Sequence, residues 1–258
     1  MRRTRPTLLL ATLCLALAAP SSAPAAEAEA ADSVHAVGGC ALFGADSPWN
    51  RRIDSRPVWK RSSAIVAGQA AGAELHLDLG TTEDYYGIPI NVVDEDQPLL
   101  PLQLGVDGED YGAESDRGPV FVPADAAAEG GSAADPDPDE GDRHVLALRF
   151  TLPTARHAYT WPARHCGPSS DTSADLATYG MRFRLKASFT ARRYSGVERR
   201  IVVAMKRYGL VYADQGSAMY VTGTADPRWS DALDQLRARP LDGRALEVVE
   251  PFRRIVRC

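Results

Sequence analysis

Residues 181–189 alternate strictly between apolar and polar side chains, which is the two-residue period of a half-buried β-strand. The apolar set is Met181, Phe183, Leu185, Ala187 and Phe189, and the polar set is Arg182, Arg184, Lys186 and Ser188. A strand of this kind needs a core on one side only. The pattern therefore predicts a sheet whose second, basic face is turned to solvent.

A helix is predicted directly after this strand. Ser195 and Glu198 have the spacing of a capping box, and Gly209 is typical of the residue just beyond a helix C-terminus. A second helix is predicted to start at Asp226. With further strands, including a hairpin over residues 210–222, the sequence predicts an α+β fold. Its sheet is expected to be mainly antiparallel and sandwich-like, with two or three helices.

The N-terminus has the three parts of a secretory signal peptide. Arginines supply the positive charge, residues 7–19 are uncharged and mostly Leu and Ala, and Ala23-Pro24-Ala25 offers small residues for cleavage. The apolar run is shorter than the roughly 20 residues that cross a bilayer, and no later segment is long and apolar enough to do so. We therefore expect a secreted protein whose signal peptide is 1–25, with no membrane span after cleavage.

Composition divides the remaining chain into an ordered part and two segments of low complexity. Residues 26–39 are rich in Ala and Glu at their start and are expected to be disordered. Residues 40–258 are expected to form a single globular domain. Within that domain, residues 124–142 combine Ala, Gly, Pro and acidic side chains, which predicts a long acidic loop.

Charge is distributed unevenly along the chain. Residues 26–142 hold 24 acidic and 6 basic side chains, whereas residues 143–258 hold 10 acidic and 20 basic ones. The two halves can attract each other within one fold, which needs no outside partner. The alternative is a basic surface in the second half that binds an anionic polymer. Nucleic acid is not an expected partner, because the mature chain is acidic overall and contains no recognised nucleic-acid-binding motif.

Three cysteines follow the signal segment, and export permits them to form disulfides. Cys40 opens the ordered part and Cys258 lies at the other end of the domain, and the ends of a domain often lie close together. We therefore predict a Cys40–Cys258 disulfide, with Cys166 left as a free thiol. A catalytic Cys166 next to His165 is the alternative.

Several short segments together resemble a group of secreted bacterial proteins of unknown function. In the first half these are Ser47-Pro48-Trp49-Asn50, Leu75-His76-Leu77-Asp78, Tyr86-Gly87-Ile88-Pro89 and Gly141-Asp142-Arg143-His144-Val145. In the second half they are Ala147-Leu148-Arg149-Phe150-Thr151, Tyr159-Thr160-Trp161-Pro162-Ala163-Arg164-His165, Arg184-Leu185-Lys186-Ala187 and Asp226-Pro227-Arg228-Trp229. The resemblance implies export but no activity. Proteins of this group carry a longer stretch after the segment that ends in Val145, so this chain looks internally shortened there.

A histidine–carboxylate set is the first candidate for chemistry. Imidazole and carboxylate groups are the side chains that zinc or a hydrolytic acid–base pair requires. In a strand, His76 and Asp78 would project from the same face. The candidate catalytic residues are His76, Asp78, Asp142, His144 and His165. The competing interpretation is that they are separate polar residues with structural roles.

A glycan-binding face is the second candidate. Arginine and lysine bind carboxylates or sulfates, and indole rings stack on sugars. The candidate residues are Arg182, Arg184, Lys186, Trp49 and Trp161. The competing interpretation is a solvated strand face with tryptophans in the core.

Calcium binding by the acidic loop is the third candidate. Asp135, Asp137 and Asp139 alternate as calcium ligands do, but Glu140 stands where an EF-hand loop needs glycine. No cofactor is predicted, although zinc or calcium would suit these side chains. Motifs of serine hydrolases, zincins and nucleotide enzymes are absent from the sequence.

Together these features predict that the protein binds or hydrolyses an extracellular or cell-wall glycan. The alternatives are a non-enzymatic secreted structural or interaction protein and a metal-dependent hydrolase.

Overall fold

A computed structural model describes residues 46–79, 96–101, 118–123, 147–223 and 233–258, with residues 36–37, 40–41, 43, 93–94, 103, 112 and 229. All of these residues belong to one compact unit, 34–258. None of the helices within these ranges is long and apolar enough to cross a membrane.

The described residues form three α-helices and twelve strands. The helices are α1 (Ser62–Gln69), α2 (Gly196–Arg207) and α3 (Asp234–Ala238). The strands are β1 (Ala36–Val37), β2 (Cys40–Ala41), β3 (His76–Asp78), β4 (Leu99–Leu100), β5 (Val120–Phe121), β6 (Leu148–Leu152), β7 (Ala158–Tyr159), β8 (Arg182–Leu185), β9 (Leu210–Gln215), β10 (Tyr220–Thr222), β11 (Leu246–Val248) and β12 (Val256–Arg257). The predicted α+β class is confirmed.

A four-stranded sheet of order β11-β8-β9-β6 is the centre of the fold. Strand β8 pairs antiparallel with β11 and β9, whereas β6 runs parallel to β9. The alternating segment predicted over residues 181–189 supplies β8, which is shorter than expected. Every residue of β8 is buried, so both faces of this central strand are covered.

Aromatic rings fill the core beside this sheet. The rings of Phe150 on β6 and Phe183 on β8 meet edge to face at 5.0 Å between centroids. Tyr212 on β9 lies 6.1 Å from Phe150, and all three side chains are fully buried. Burying an aromatic side chain of this size contributes about 2–3 kcal/mol. For Tyr212 that gain is offset in part, because its buried hydroxyl has no hydrogen-bond partner among the described residues.

The helix predicted after β8 forms as α2, and one of its faces packs on β8. Val202 and Met205 are fully buried, and Gly209 follows the helix with a φ of +74°, the left-handed conformation that ends many helices. Ser195 stands at the N-cap, but its side chain makes no capping hydrogen bond. Glu198 is buried and instead accepts a hydrogen bond from the Leu236 N–H at 2.7 Å, which ties α2 to α3.

The predicted hairpin over residues 210–222 does not form. Strand β9 belongs to the central sheet, whereas β10 pairs in parallel with β3, matching Tyr220 with His76. The physical reason is that β8 and β6 already pair with the two edges of β9, so that no edge of β9 is left for β10. The predicted start of the second helix at Asp226 lies outside the described residues.

Candidate functional site

A surface groove rich in cations runs beside the C-terminal strand. We call it the basic groove, and its residues are Trp59, Lys60, Arg61, Arg156, Arg254, Ile255 and Arg257. Its central cavity has a volume of about 300 Å³. Neighbouring cavities share Lys60 and Arg61 on one side, and Arg156 and Arg257 on the other, so they form one continuous depression.

Three separate parts of the chain build this groove. Trp59 lies just before α1, and its N–H donates to the Val248 carbonyl at 2.8 Å. Arg156 lies just before β7, where its N–H donates to the Ala177 carbonyl at 2.8 Å. Strand β12 pairs antiparallel with β7, which matches Arg257 with Ala158 and brings the C-terminal arginines to the same surface.

A disulfide between Cys166 and Cys258 fixes the end of this strand. The prediction that Cys258 bonds to Cys40 and leaves Cys166 as a free thiol is therefore wrong. The physical reason is the β7–β12 pairing, which carries Cys258 to the segment that follows β7. The Cα atoms of Cys166 and Cys258 are 6.4 Å apart, within the range that a disulfide spans.

The groove holds five cationic side chains and little compensating charge. Arg61 forms an ion pair with Asp175 at 2.5 Å. Lys60 lies 5.6 Å from the ring centroid of Trp59. Within the described ranges, no carboxylate pairs with Lys60, Arg156, Arg254 or Arg257. The arrangement can therefore bind several negative charges in a row.

The prediction that the basic face of strand β8 is turned to solvent is wrong for Arg182 and Arg184. Arg182 and Arg184 are only 2% and 8% exposed, respectively. Arg182 donates to the Tyr208 carbonyl at 2.7 Å and to the Pro48 carbonyl, and Arg184 donates to the Glu247 carboxylate at 2.8 Å and to the Ile53 carbonyl. Three of these acceptors lie outside the sheet, in segments that cover the second face of β8, and the fourth lies on the neighbouring strand β11. Both arginines therefore hold the fold together.

Lys186 lies beyond the end of β8 and is exposed. Its ammonium group donates to the Arg244 carbonyl at 2.7 Å. The three cations predicted to form one face are therefore divided between the interior and the surface, and they do not form the predicted binding surface.

Burial and a neighbouring charge act on the Arg182 guanidinium. Burial lowers its pKa to about 10, and the positive charge of Arg51 acts in the same direction. The Arg182 Nε–H has no hydrogen-bond acceptor among the described residues. An unsatisfied buried donor costs about 1–3 kcal/mol.

The two predicted tryptophan platforms are half-buried in different surroundings. Trp49 packs against a small apolar cluster that contains Tyr208 and Val211. Trp161 meets Phe252 edge to face at 5.7 Å between centroids. Arg182 contacts the Pro48 carbonyl, next to Trp49 in sequence, and lies 6.0 Å from the Phe252 ring that Trp161 meets, but no described contact joins Arg182 to either indole.

Three members of the histidine–carboxylate set lie in the described residues. His76 and Asp78 are both on β3, and the His76 ring packs against Tyr220 at 4.2 Å between centroids. His165 lies elsewhere, where its ring is 6.3 Å from Tyr179 and its Nδ1 is 3.1 Å from the Cys166 carbonyl oxygen. Asp142 and His144 lie outside the described residues, as do Asp135, Asp137, Asp139 and Glu140 of the predicted calcium loop.

Within the described ranges, no group of three His, Cys, Asp or Glu residues is arranged to hold a metal ion. Comparison with protein-family models, with curated proteins and with solved structures gives no match. The geometry of the chain itself is therefore the basis for assigning a function.

A polar cluster around the buried Tyr179 lies at the end of β9, away from the residues chosen from sequence. The Tyr179 hydroxyl donates to Asp214 at 3.3 Å and accepts from the Gln215 N–H at 3.2 Å. Burial raises the pKa of Tyr212, and Tyr179 and Asp214 add to the effect. Because a general acid or base works best when its pKa lies near the working pH, a raised pKa makes Tyr212 a poor candidate for acid–base chemistry.

A pair of short apolar strands lies at the surface. Leu99 on β4 pairs with Phe121 on β5, and these side chains are 51% and 52% exposed. A single exposed apolar pair does not by itself indicate an interaction surface, since isolated apolar residues are common on protein surfaces.

Sequence reasoning missed every residue of the basic groove. The sequence did contain one indication of a basic surface, a cluster of three cations within residues 253–257: Arg253, Arg254 and Arg257. What the sequence could not supply was the position of Lys60, Arg61 and Arg156 next to them, because that depends on the β7–β12 pairing.

Proposed function

We propose that this protein is secreted and binds an acidic extracellular glycan in the basic groove. The observation that carries the proposal is the set of four cations, Lys60, Arg156, Arg254 and Arg257, which no described carboxylate neutralises. Such an excess of one charge attracts a ligand that repeats the opposite charge.

The groove also offers apolar surface for sugar rings. Trp59 and Ile255 are half-buried and line the same cavity as the cations. A sugar ring presents C–H groups that pack on an indole face, while its carboxylates or sulfates meet guanidinium groups. The combination of cations around an apolar floor favours an acidic glycan over a small inorganic ion.

The positions of the carboxylates in the groove favour glycan binding over glycan hydrolysis as the function. Glycoside hydrolases generally use two carboxyl groups on either side of the scissile bond. In the described groove, Asp175 is engaged by Arg61, and Glu250 is absent from the lining of the central cavity and lines a neighbouring one. The described residues therefore support recognition of a glycan more directly than its cleavage.

Two observations support export. The N-terminal sequence has the three parts of a signal peptide, and the Cys166–Cys258 disulfide belongs to the kind of bond that persists in oxidising compartments. An extracellular glycan is then a ligand that the protein would meet.

Affinity chromatography and titration calorimetry with polygalacturonate, a carboxylated glycan, test the proposal. We expect the wild-type protein to bind polygalacturonate and dextran sulfate, not to bind neutral dextran, and to release both polyanions as salt rises. An Arg156→Ala/Arg257→Ala variant should lose most of this affinity.

The matched control is an Arg199→Ala/Arg207→Ala variant, which removes the same charge from exposed positions on α2. It should bind as the wild-type protein does. If both variants lost affinity for the polyanions equally, only the net charge of the protein would matter. If the wild-type protein bound neither polyanion, the proposal would be wrong.

A further inference from the structure

A second cluster of cations surrounds two aromatic rings outside the basic groove's central cavity. The Cζ atoms of Arg51 and Arg253 lie 5.3 Å and 5.4 Å from the ring centroid of Trp161. Arg51 also lies 5.4 Å from the ring of Phe252, and Arg56 lies 4.0 Å from it. Among the described residues, no carboxylate forms an ion pair with any of these arginines.

Arg182 lies behind this cluster, 6.0 Å from the Phe252 ring. Its guanidinium group is buried, its two Nη atoms donate to backbone carbonyls, and its Nε–H has no acceptor in the described structure. Carbonyl oxygens satisfy hydrogen bonds but bring no negative charge. Within the described part of the chain, the charge of Arg182 is therefore uncompensated, and the positive charge of Arg51 adds to it.

We propose that Arg51 and Arg253 form a binding site for a single sulfate or phosphate group, above the buried charge of Arg182. Both side chains are exposed, so an oxyanion reaches them without rearrangement of the core. Two guanidinium groups supply several N–H donors in the planar geometry that oxyanions accept. A doubly charged oxyanion also compensates the repulsion between Arg51 and Arg182, which a neutral ligand cannot do.

This site goes beyond glycan binding in the groove, because it recognises one charged group and not a polymer. Arg56 is not part of it, since its guanidinium donates to the Glu250 and Pro251 carbonyls at 2.9 Å and stacks on Phe252. These hydrogen bonds already engage the N–H groups of Arg56. Arg51 and Arg253 make no side-chain hydrogen bond within the described residues, so their N–H groups are available to an oxyanion.

Titration calorimetry and thermal unfolding with sodium sulfate and sodium phosphate test the proposal, with sodium chloride at equal ionic strength as the reference. We expect saturable binding and a higher melting temperature with either oxyanion. An Arg51→Ala variant should bind about tenfold more weakly, which corresponds to the loss of one charge-assisted hydrogen bond. An Arg51→Lys variant, which keeps the charge without the planar fork, should fall between the two.

An Arg52→Ala variant is the control, since it removes an exposed arginine next to Arg51 in sequence. It should bind sulfate as the wild-type protein does, and so should the groove variant Arg156→Ala/Arg257→Ala. If sulfate acts no differently from chloride, or if the groove variant loses sulfate binding while Arg51→Ala keeps it, the proposed site is wrong. Either result leaves polygalacturonate binding to be judged separately.

Discussion

Cys258 is bonded to Cys166, and it lines the same cavity as Arg156 and Arg257. The bond therefore joins the end of β12 to the segment after β7 at the edge of the basic groove. Because β12 contains only two residues, its backbone pairing with β7 supplies few hydrogen bonds of its own. The disulfide is thus expected to keep the C-terminal arginines in position.

Replacing both bridged cysteines tests this role. A Cys166→Ala/Cys258→Ala variant should lose about 4–5 kcal/mol in its free energy of unfolding, because the bond closes a loop across a sequence separation of 92 residues. Urea denaturation measures the loss, and polygalacturonate binding should weaken with it.

Cys40→Ala is the matched control and should change neither property. Alkylation of the denatured, unreduced protein should label Cys40 and neither Cys166 nor Cys258. Labelling of Cys166 under these conditions would show that the bond does not form.

The ion pair of Arg184 and Glu247 gives a second prediction. The two side chains are 10% and 17% exposed and meet at 2.8 Å across the β8–β11 pairing. A Glu247→Gln change removes the charge that compensates Arg184, so we expect a loss of about 3 kcal/mol in urea denaturation. In contrast, Asp54→Asn in the exposed Arg52–Asp54 pair should cost less than about 1 kcal/mol. Similar costs for both changes would mean that Arg184 is not buried as described.

Arg182 and Arg184 also show what the sequence alone could not predict. Alternation correctly located β8, because Met181, Phe183 and Leu185 have to face a core. The same pattern assigns Arg182 and Arg184 to solvent, since a local period contains no information about the loops that cover the second face. Their acceptors, such as Tyr208 and Glu247, are 26 and 63 residues away in sequence.

The candidate site illustrates the same limit at longer range. Exposed cations such as Lys60 and Arg254 are ordinary surface residues in the sequence. Only the pairing of β12 with β7 brings them into one groove, and short two-residue strands leave little trace in a hydrophobic pattern. The start and end of helix α2 were predictable because Ser195 at its N-cap and Gly209 after its C-terminus are both local signals.

Gly209 permits a sharp prediction about local stability. A Cβ atom there would lie 2.2 Å from the Phe183 carbonyl oxygen, and its φ of +74° disfavours any side chain. Gly209→Ala should therefore destabilise the fold by more than about 3 kcal/mol. Gly196 also has a positive φ, +53°, but a Cβ atom added there would have no neighbouring atom within 4 Å. Gly196→Ala should cost only about 1 kcal/mol in the same thermal or urea unfolding experiment. Equal losses would refute the close approach at Gly209.

Asp242 predicts how stability depends on pH. Its carboxylate accepts a hydrogen bond from the Arg244 N–H at 2.7 Å and a weaker one from the Gly72 N–H at 3.3 Å. The Arg244 backbone hydrogen bond is the main cause that lowers the Asp242 pKa below its ordinary value of 3.8. A pKa that is lower in the folded state means that the ionised group stabilises the fold. That contribution is complete above the unfolded-state pKa and is lost as the pH falls through the folded-state pKa.

Comparison of the wild-type protein with Asp242→Asn isolates this contribution. The amide keeps a capping oxygen but cannot ionise, so the wild-type protein should be more stable than the variant at about pH 6. Urea denaturation at about pH 2.5 should show a smaller difference, because protonation removes the advantage of the carboxylate. A difference that stays constant between the two pH values would mean that the charge of Asp242 does not contribute to stability. In that case, the Arg244 N–H would be satisfied equally well by a neutral acceptor.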